Sequence, residues 1–142
     1  MSRSIDDLDP DVREMALELA RRAAAEGILL VFTHTKRTAA EQQALYDQGR
    51  SRPGPIVTAA PAGYSWHEFG RAFDVAIKRW SGDQTPNDWS DGPGARVGEL
   101  GEAVGLEWGG RWKRPDYPHF QHIGSRTLAA MREMRSSREA NA

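Results

Sequence analysis

His67 and Asp74 stand seven residues apart in the stretch Tyr64-Ser65-Trp66-His67-Glu68-Phe69-Gly70-Arg71-Ala72-Phe73-Asp74. A second stretch, Asp116-Tyr117-Pro118-His119-Phe120-Gln121-His122, carries two more histidines. Neutral imidazoles and an ionised carboxylate all offer lone pairs to a divalent ion, and a catalytic zinc takes three protein ligands and leaves one position to water. His67, Asp74 and His119 make such a set. The same His67 and Asp74 spacing also suits a structural hydrogen-bonded pair, and spacing alone does not separate the two. His67-Glu68 does not complete the zincin helix motif, because the fourth residue after His67 is Arg71.

Asp116 lies three residues ahead of His119, and Pro115 and Pro118 restrict the backbone around it. A carboxylate held there suits a general base, which takes a proton from the water attacking an amide carbonyl and returns it to the leaving amine. If the segment after Pro118 is extended, His119 and Gln121 share one face and His122 points away. Pro118 and Phe120 favour that arrangement over a helix.

The elements that carry these residues must bring them to one place. On an unbroken strand the odd separation of His67 and Asp74 would set them on opposite faces, so the site needs a break, and Gly70 can supply it. Asp9-Pro10 predicts a helix start with Asp9 as N-cap, followed by an apolar stripe of Val12, Met15, Ala16, Leu19 and Ala23 that ends at Gly27. The run from Ile28 to Phe32 predicts a central strand buried on both faces. Thr38 to Glu41 form a capping box for a second helix reaching about Gln48.

Further along, Ile56-Val57-Thr58 predicts a short strand and Phe73 to Ile77 another. Residues 78–94 are polar and without periodicity, which predicts a loop that could serve as a lid. Val97, Leu100 and Val104 predict a third helix, weakened by Gly98 and Gly101. Ser125 is read as the cap of a last helix through Leu128, Met131 and Met134, with residues 136–142 frayed. Trp108 and Trp112 read as packing residues, Arg37 as a solvated charge, and Asp83, Asp88 and Asp91 as solvated acids rather than a calcium loop.

The chain of 142 residues fits one domain. The lack of cysteine excludes disulfides and thiolate ligands. Nineteen basic against twenty acidic residues leave a net charge of −1 and no footprint for nucleic acid. The first ten residues lack the basic start and apolar run of a secretory signal, and the longest apolar run is too short to cross a bilayer. Synthesis in the cytoplasm without membrane insertion is the expectation, as a monomer.

Several stretches together resemble the zinc D-alanyl-D-alanine carboxypeptidase and L-alanyl-D-glutamate endopeptidase family, above all its phage endolysin branch. They are Arg37 to Tyr46, Gly49-Arg50, Pro53 to Thr58, Ser65-Trp66-His67 through Gly70, Ala72 and Asp74, Glu107-Trp108-Gly109-Gly110, and Asp116 to Phe120. The resemblance implies Zn2+ on His67, Asp74 and His119, Asp116 as catalytic base, and Arg37 and Ser65 near the substrate. It implies an α+β fold, a small central antiparallel sheet flanked by helices and shared with hedgehog domains. It also implies cleavage of the L-alanyl-D-glutamate bond of the peptidoglycan stem peptide during host cell lysis, reached through a holin-type pore. The alternatives are a D-alanyl-D-alanine carboxypeptidase or a zinc-containing wall-binding module without catalysis. Where such enzymes carry Ser-Gly-Tyr before the arginine, this chain has His34-Thr35-Lys36; His34 could approach the site, but reads first as a surface histidine.

Overall fold

The computed structural model describes residues 1–80 and 92–142. Among these, the helices are α1 (Pro10–Ala25), α2 (Ala39–Asp47), α3 (Pro93–Ala103) and α4 (Leu128–Ala140). The strands are β1 (Ile28–His34), β2 (Ala72–Trp80), β3 (Glu107–Trp108) and β4 (His119–Gln121). They form one antiparallel sheet in the order β1-β2-β4-β3. The architecture is the expected α+β sheet flanked by helices.

Alternation along β2 divides the two faces. Phe73, Val75 and Ile77 point into a core with Phe120, Ile28 and the buried stripe of α1, namely Val12, Ala16, Leu19 and Ala23. α3 adds Val97 and Leu100 to the same side. Its glycines have a packing reason rather than being mere weaknesses: a Cβ on Gly98 would fall 2.4 Å from the Trp108 ring, and one on Gly101 2.4 Å from Phe120. The helix lies flat on the sheet because those two positions are bare. The opposite face of the sheet carries Asp74, His119 and Gln121.

Several expectations need correction. β1 is an edge strand, and Leu29 and Val31 are exposed on it, because its apolar run is buried on alternate residues only. Ile56 to Thr58 form no strand; Ile56 is 62% exposed in a loop fastened by the bridge between Gln48 and Arg52. Asp9 is at the N-cap of α1 but its carboxylate makes no cap bond, being drawn to Arg71 instead. Thr127 rather than Ser125 caps α4, accepting from the Ala130 N–H, and the helix carries on past Ser136 to Ala140. The expected lid over 78–94 is a strand at its start and a helix at its end. Its middle, with Asp83, Asp88 and Asp91, lies outside the described residues.

Arg71 ties the chain together beneath this sheet. Its guanidinium donates to Asp11 Oδ1 at 2.6 Å and Oδ2 at 2.9 Å, to Asp9 Oδ2 at 3.1 Å and to the His122 carbonyl at 2.9 Å. The start of α1 is thereby bound to the ends of β2 and β4. A fork of fixed N–H donors suits such a junction better than a lysine would.

Candidate metal centre

His67 reaches the site from a 3₁₀ turn, Trp66–Phe69, not from a strand. Ser65 caps that turn: its hydroxyl accepts the His67 N–H, while the Glu68 carboxylate reaches back to the Ser65 N–H and also takes the Gly63 N–H. Gly70 closes the turn at φ +71°, where a side chain would be strained and its Cβ would crowd the Asp9 backbone. This is the break that the odd spacing demands. Asp74 and His119 then face each other directly across β2 and β4.

The three side chains converge. His67 Nε2 lies 3.4 Å and His119 Nδ1 3.3 Å from Asp74 Oδ1, and the three ligand atoms all fall within 4.8 Å of one another. The far nitrogens are committed elsewhere. His67 Nδ1 is 2.8 Å from the Thr35 carbonyl, which can only accept, so that nitrogen carries the proton and Nε2 is bare. His119 Nε2 is 2.7 Å from Gln121 Oε1. The Gln121 amide nitrogen donates to Glu107 Oε2 at 3.1 Å, and because a carboxylate only accepts, this fixes the amide and makes His119 Nε2 the donor.

Two bare imidazole nitrogens therefore face a carboxylate oxygen that is buried and, among the described residues, receives no hydrogen bond. Buried polar atoms are rarely left so. A divalent ion satisfies all three at once, and the two contacts of 3.3 and 3.4 Å match the edge of about 3.3 Å that a tetrahedron of ligands 2.0–2.1 Å from an ion would have. The residues fit the group.

The electrostatics agree. Burial alone would raise the Asp74 carboxyl, but the contacts with His119, His34 and His67 outweigh it and hold it far below the usual range. Burial lowers the His67 imidazole and so favours the neutral ligand form. At His119 burial pulls the same way, but the Asp74 carboxylate prevails and raises it, so a proton competes for that nitrogen in acid.

Asp116 stands beside this centre, its Oδ2 3.9 Å from His119 Nδ1. Its side chain is 53% exposed, open to the solvent side. Desolvation in the cleft raises its carboxyl; His119 pulls the other way and the Asp74 charge adds to the rise. The Asp116 turn closes on Gly109: its N–H donates to the Gly109 carbonyl at 2.9 Å, and a Cβ on Gly109 would lie 2.4 Å from the Asp116 carbonyl oxygen. Arg37 is drawn inward, not solvated. Its side chain is 12% exposed, with Nη2 3.6 Å from Asp74 Oδ2 and Nη1 donating to Gln42. Its backbone N–H donates to the His67 carbonyl.

The supports of the two imidazoles, the Thr35 carbonyl and the pair Gln121 and Glu107, have no place in the sequence reading. Gln121 was legible as a residue on the His119 face, two positions along a strand. Glu107 needs the β3 to β4 register, which pairs it with Gln121, and nothing in the sequence announces that. Trp112 donates to the same Glu107 oxygen at 2.8 Å and lays its ring 5.1 Å from that of His119. Trp108 is the packing residue expected, its indole N–H held by the Tyr117 carbonyl. His122 points away, and its N–H donates to the Arg71 carbonyl.

A sheet and the turn before it, which together set two histidines and an aspartate around one point with an acid alongside, define a site of the metallopeptidase kind. A family model described as D-alanyl-D-alanine carboxypeptidase matches residues 58–122. The peptidoglycan L-alanyl-D-glutamate endopeptidase CwlK of Bacillus subtilis (strain 168) is 40% identical over 124 residues, covering 82% of this chain and 74% of that protein. The chain belongs to this family, peptidase family M15, and is a metallopeptidase. Two solved structures share the fold. The Serratia marcescens L-Ala D-Glu endopeptidase ChiX has a TM-score of 0.57 at 22% identity, covering 92% of this chain and 90% of its own. The vancomycin-resistance D,D-pentapeptidase VanY, in complex with Zn(II), has a TM-score of 0.62 at 16% identity, covering 89% and 78%.

Proposed function

We propose that this chain is a zinc endopeptidase that hydrolyses the L-alanyl-D-glutamate bond of the peptidoglycan stem peptide. The observation that carries the metal reading is the unpartnered Asp74 oxygen between two bare imidazole nitrogens. The bond specificity is supported by the 40% identity to an enzyme named for that bond.

In this reading His67, Asp74 and His119 would hold the zinc, which when bound would supply a Lewis acid for the scissile carbonyl and acidify a water. Asp116 takes a proton from the attacking water and delivers it to the departing amine as the C–N bond breaks, so the same carboxyl serves as base and then acid. Its raised pKa suits both halves of that exchange. Arg37, beside Asp74, and Ser65, at the base of the His67 turn, lie on the substrate side of the proposal. Thr35 and Gln121 fix the imidazole tautomers.

We assign the enzyme a lytic role of the phage endolysin kind, made in the cytoplasm and reaching the wall after the membrane is opened, on the strength of the sequence resemblance alone. Zinc-reconstituted protein digesting purified muropeptides tests the specificity by mass spectrometry. Release of peptides that begin with D-glutamate is expected. Loss of a single terminal alanine would assign the carboxypeptidase activity named by the family model instead, and intact muropeptides beside bound protein would assign a wall-binding module.

A further inference from the structure

The strand pairing that builds the centre contains an irregularity with a consequence for His34. After an earlier shift between Leu29 and Leu30, β1 runs in register with β2 from Leu30 through Phe32, opposite Val75, but the next pair is His34 opposite Asp74. Thr33 is the extra residue of a β-bulge. Without it, Thr33 would face Asp74, and His34 would fall opposite Phe73 on the core side of the sheet. A bulge of this kind re-aims a side chain, and here it moves an imidazole from the core face to the face that carries the metal ligands.

The result is a divided carboxylate. Asp74 Oδ1 faces His67 and His119, while Oδ2 lies 3.4 Å from His34 Nδ1 and 3.6 Å from Arg37 Nη2. Arg37 is already engaged by Gln42 and sits the farther of the two. His34 stands at the mouth of the site, 38% exposed, with no other contact competing for its Nδ1 among the described residues.

We infer that His34 is a positioning residue for the metal site: its Nδ1–H holds Asp74 Oδ2, so that Asp74 presents Oδ1 alone to the ion. This rests on the metal reading above. A carboxylate left free to rotate could close both oxygens on the ion and occupy the position that water and substrate need. Partners of this kind around a metal site are worth about ten- to a hundredfold in affinity or activity.

The test compares His34→Ala, His34→Asn and His34→Gln with the wild type in the full chain. An asparagine amide nitrogen lies near the place of Nδ1, whereas a glutamine amide nitrogen reaches the place of Nε2. Zinc Kd by competition with a chromophoric chelator, kcat and KM on muropeptides, and the unfolding midpoint are measured together. His34→Ala and His34→Gln should weaken zinc binding and lower kcat by roughly tenfold with KM little changed, and His34→Asn should recover most of both. Unfolding midpoints of the metal-free chains should stay together, since the side chain is at an exposed edge. Zinc affinity and kcat at the wild-type level in His34→Ala, or equal losses in the alanine and asparagine variants, overturn the role of His34 while leaving the centre standing. A wild-type chain that takes up no zinc overturns the metal reading and this inference with it.

Discussion

Two charged side chains, Arg71 just before β2 and Asp74 within it, lie three residues apart, and their surroundings are finished to different degrees. At Arg71 the guanidinium finds two carboxylates and a carbonyl, all at hydrogen-bond distance. At Asp74 one carboxylate oxygen faces two imidazole lone pairs and, among the described residues, has no donor. Arg37 and His34 approach the other oxygen, but a buried polar atom left without a hydrogen bond costs about 1–3 kcal/mol, so the unmet oxygen marks the exception. The complete cluster is architecture, and the incomplete one is a group that could hold a metal ion.

The strongest way to break this contrast is Asp74→Asn. Removing the only negative ligand should abolish stoichiometric zinc uptake and with it muropeptide hydrolysis, read by elemental analysis and digestion; retained zinc would show that Asp74 is no ligand. Asp116→Ala should cost about 10²- to 10⁴-fold in kcat while zinc content stays stoichiometric, since a general base contributes that much without holding the ion. Arg71→Met should do the reverse. Loss of its charge-assisted bonds is expected to lower stability by about 1–3 kcal/mol in urea unfolding, with zinc Kd unchanged. Gln121→Ala should weaken zinc binding by about tenfold, because His119 loses the acceptor that fixes its tautomer.

The smallest expected effect is one of pH. Arg71 lowers the Asp11 carboxyl below its ordinary 3.8, chiefly through their hydrogen bonds. A depressed carboxylate stabilises the fold above its unfolded pKa, and that contribution fades as acid carries the pH down through the folded one. Denaturation of the metal-free chain should therefore become easier below about pH 4, and less steeply in Arg71→Met. An identical acid profile in the two would detach Asp11 from the junction.

Much of the centre was readable from local rules. The odd spacing of His67 and Asp74 demanded a break, and Gly70 provides it. The alternation after Pro118 separated His119 from His122, and Thr38 and Glu41 cap α2 as their spacing says they should. What was not readable depended on partners distant in the chain. Arg37 looked like a surface charge because nothing nearby reveals that Asp74 and Gln42 await it. His34 looked like a surface histidine because a bulge is a property of two strands at once. β1 looked central because apolar residues on an edge strand resemble those of a middle one until the neighbouring strands are known.

The pairing of Asp74 with His119 across β2 and β4 joins positions from separate parts of the chain, while His67 arrives from a turn outside the sheet. An ion held there would work as a latch: at a hundredfold excess over Kd, an ion bound only by the native state deepens its free-energy well by about 2.7 kcal/mol. The supply of metal around the protein would then govern how long it survives as well as how fast it cuts.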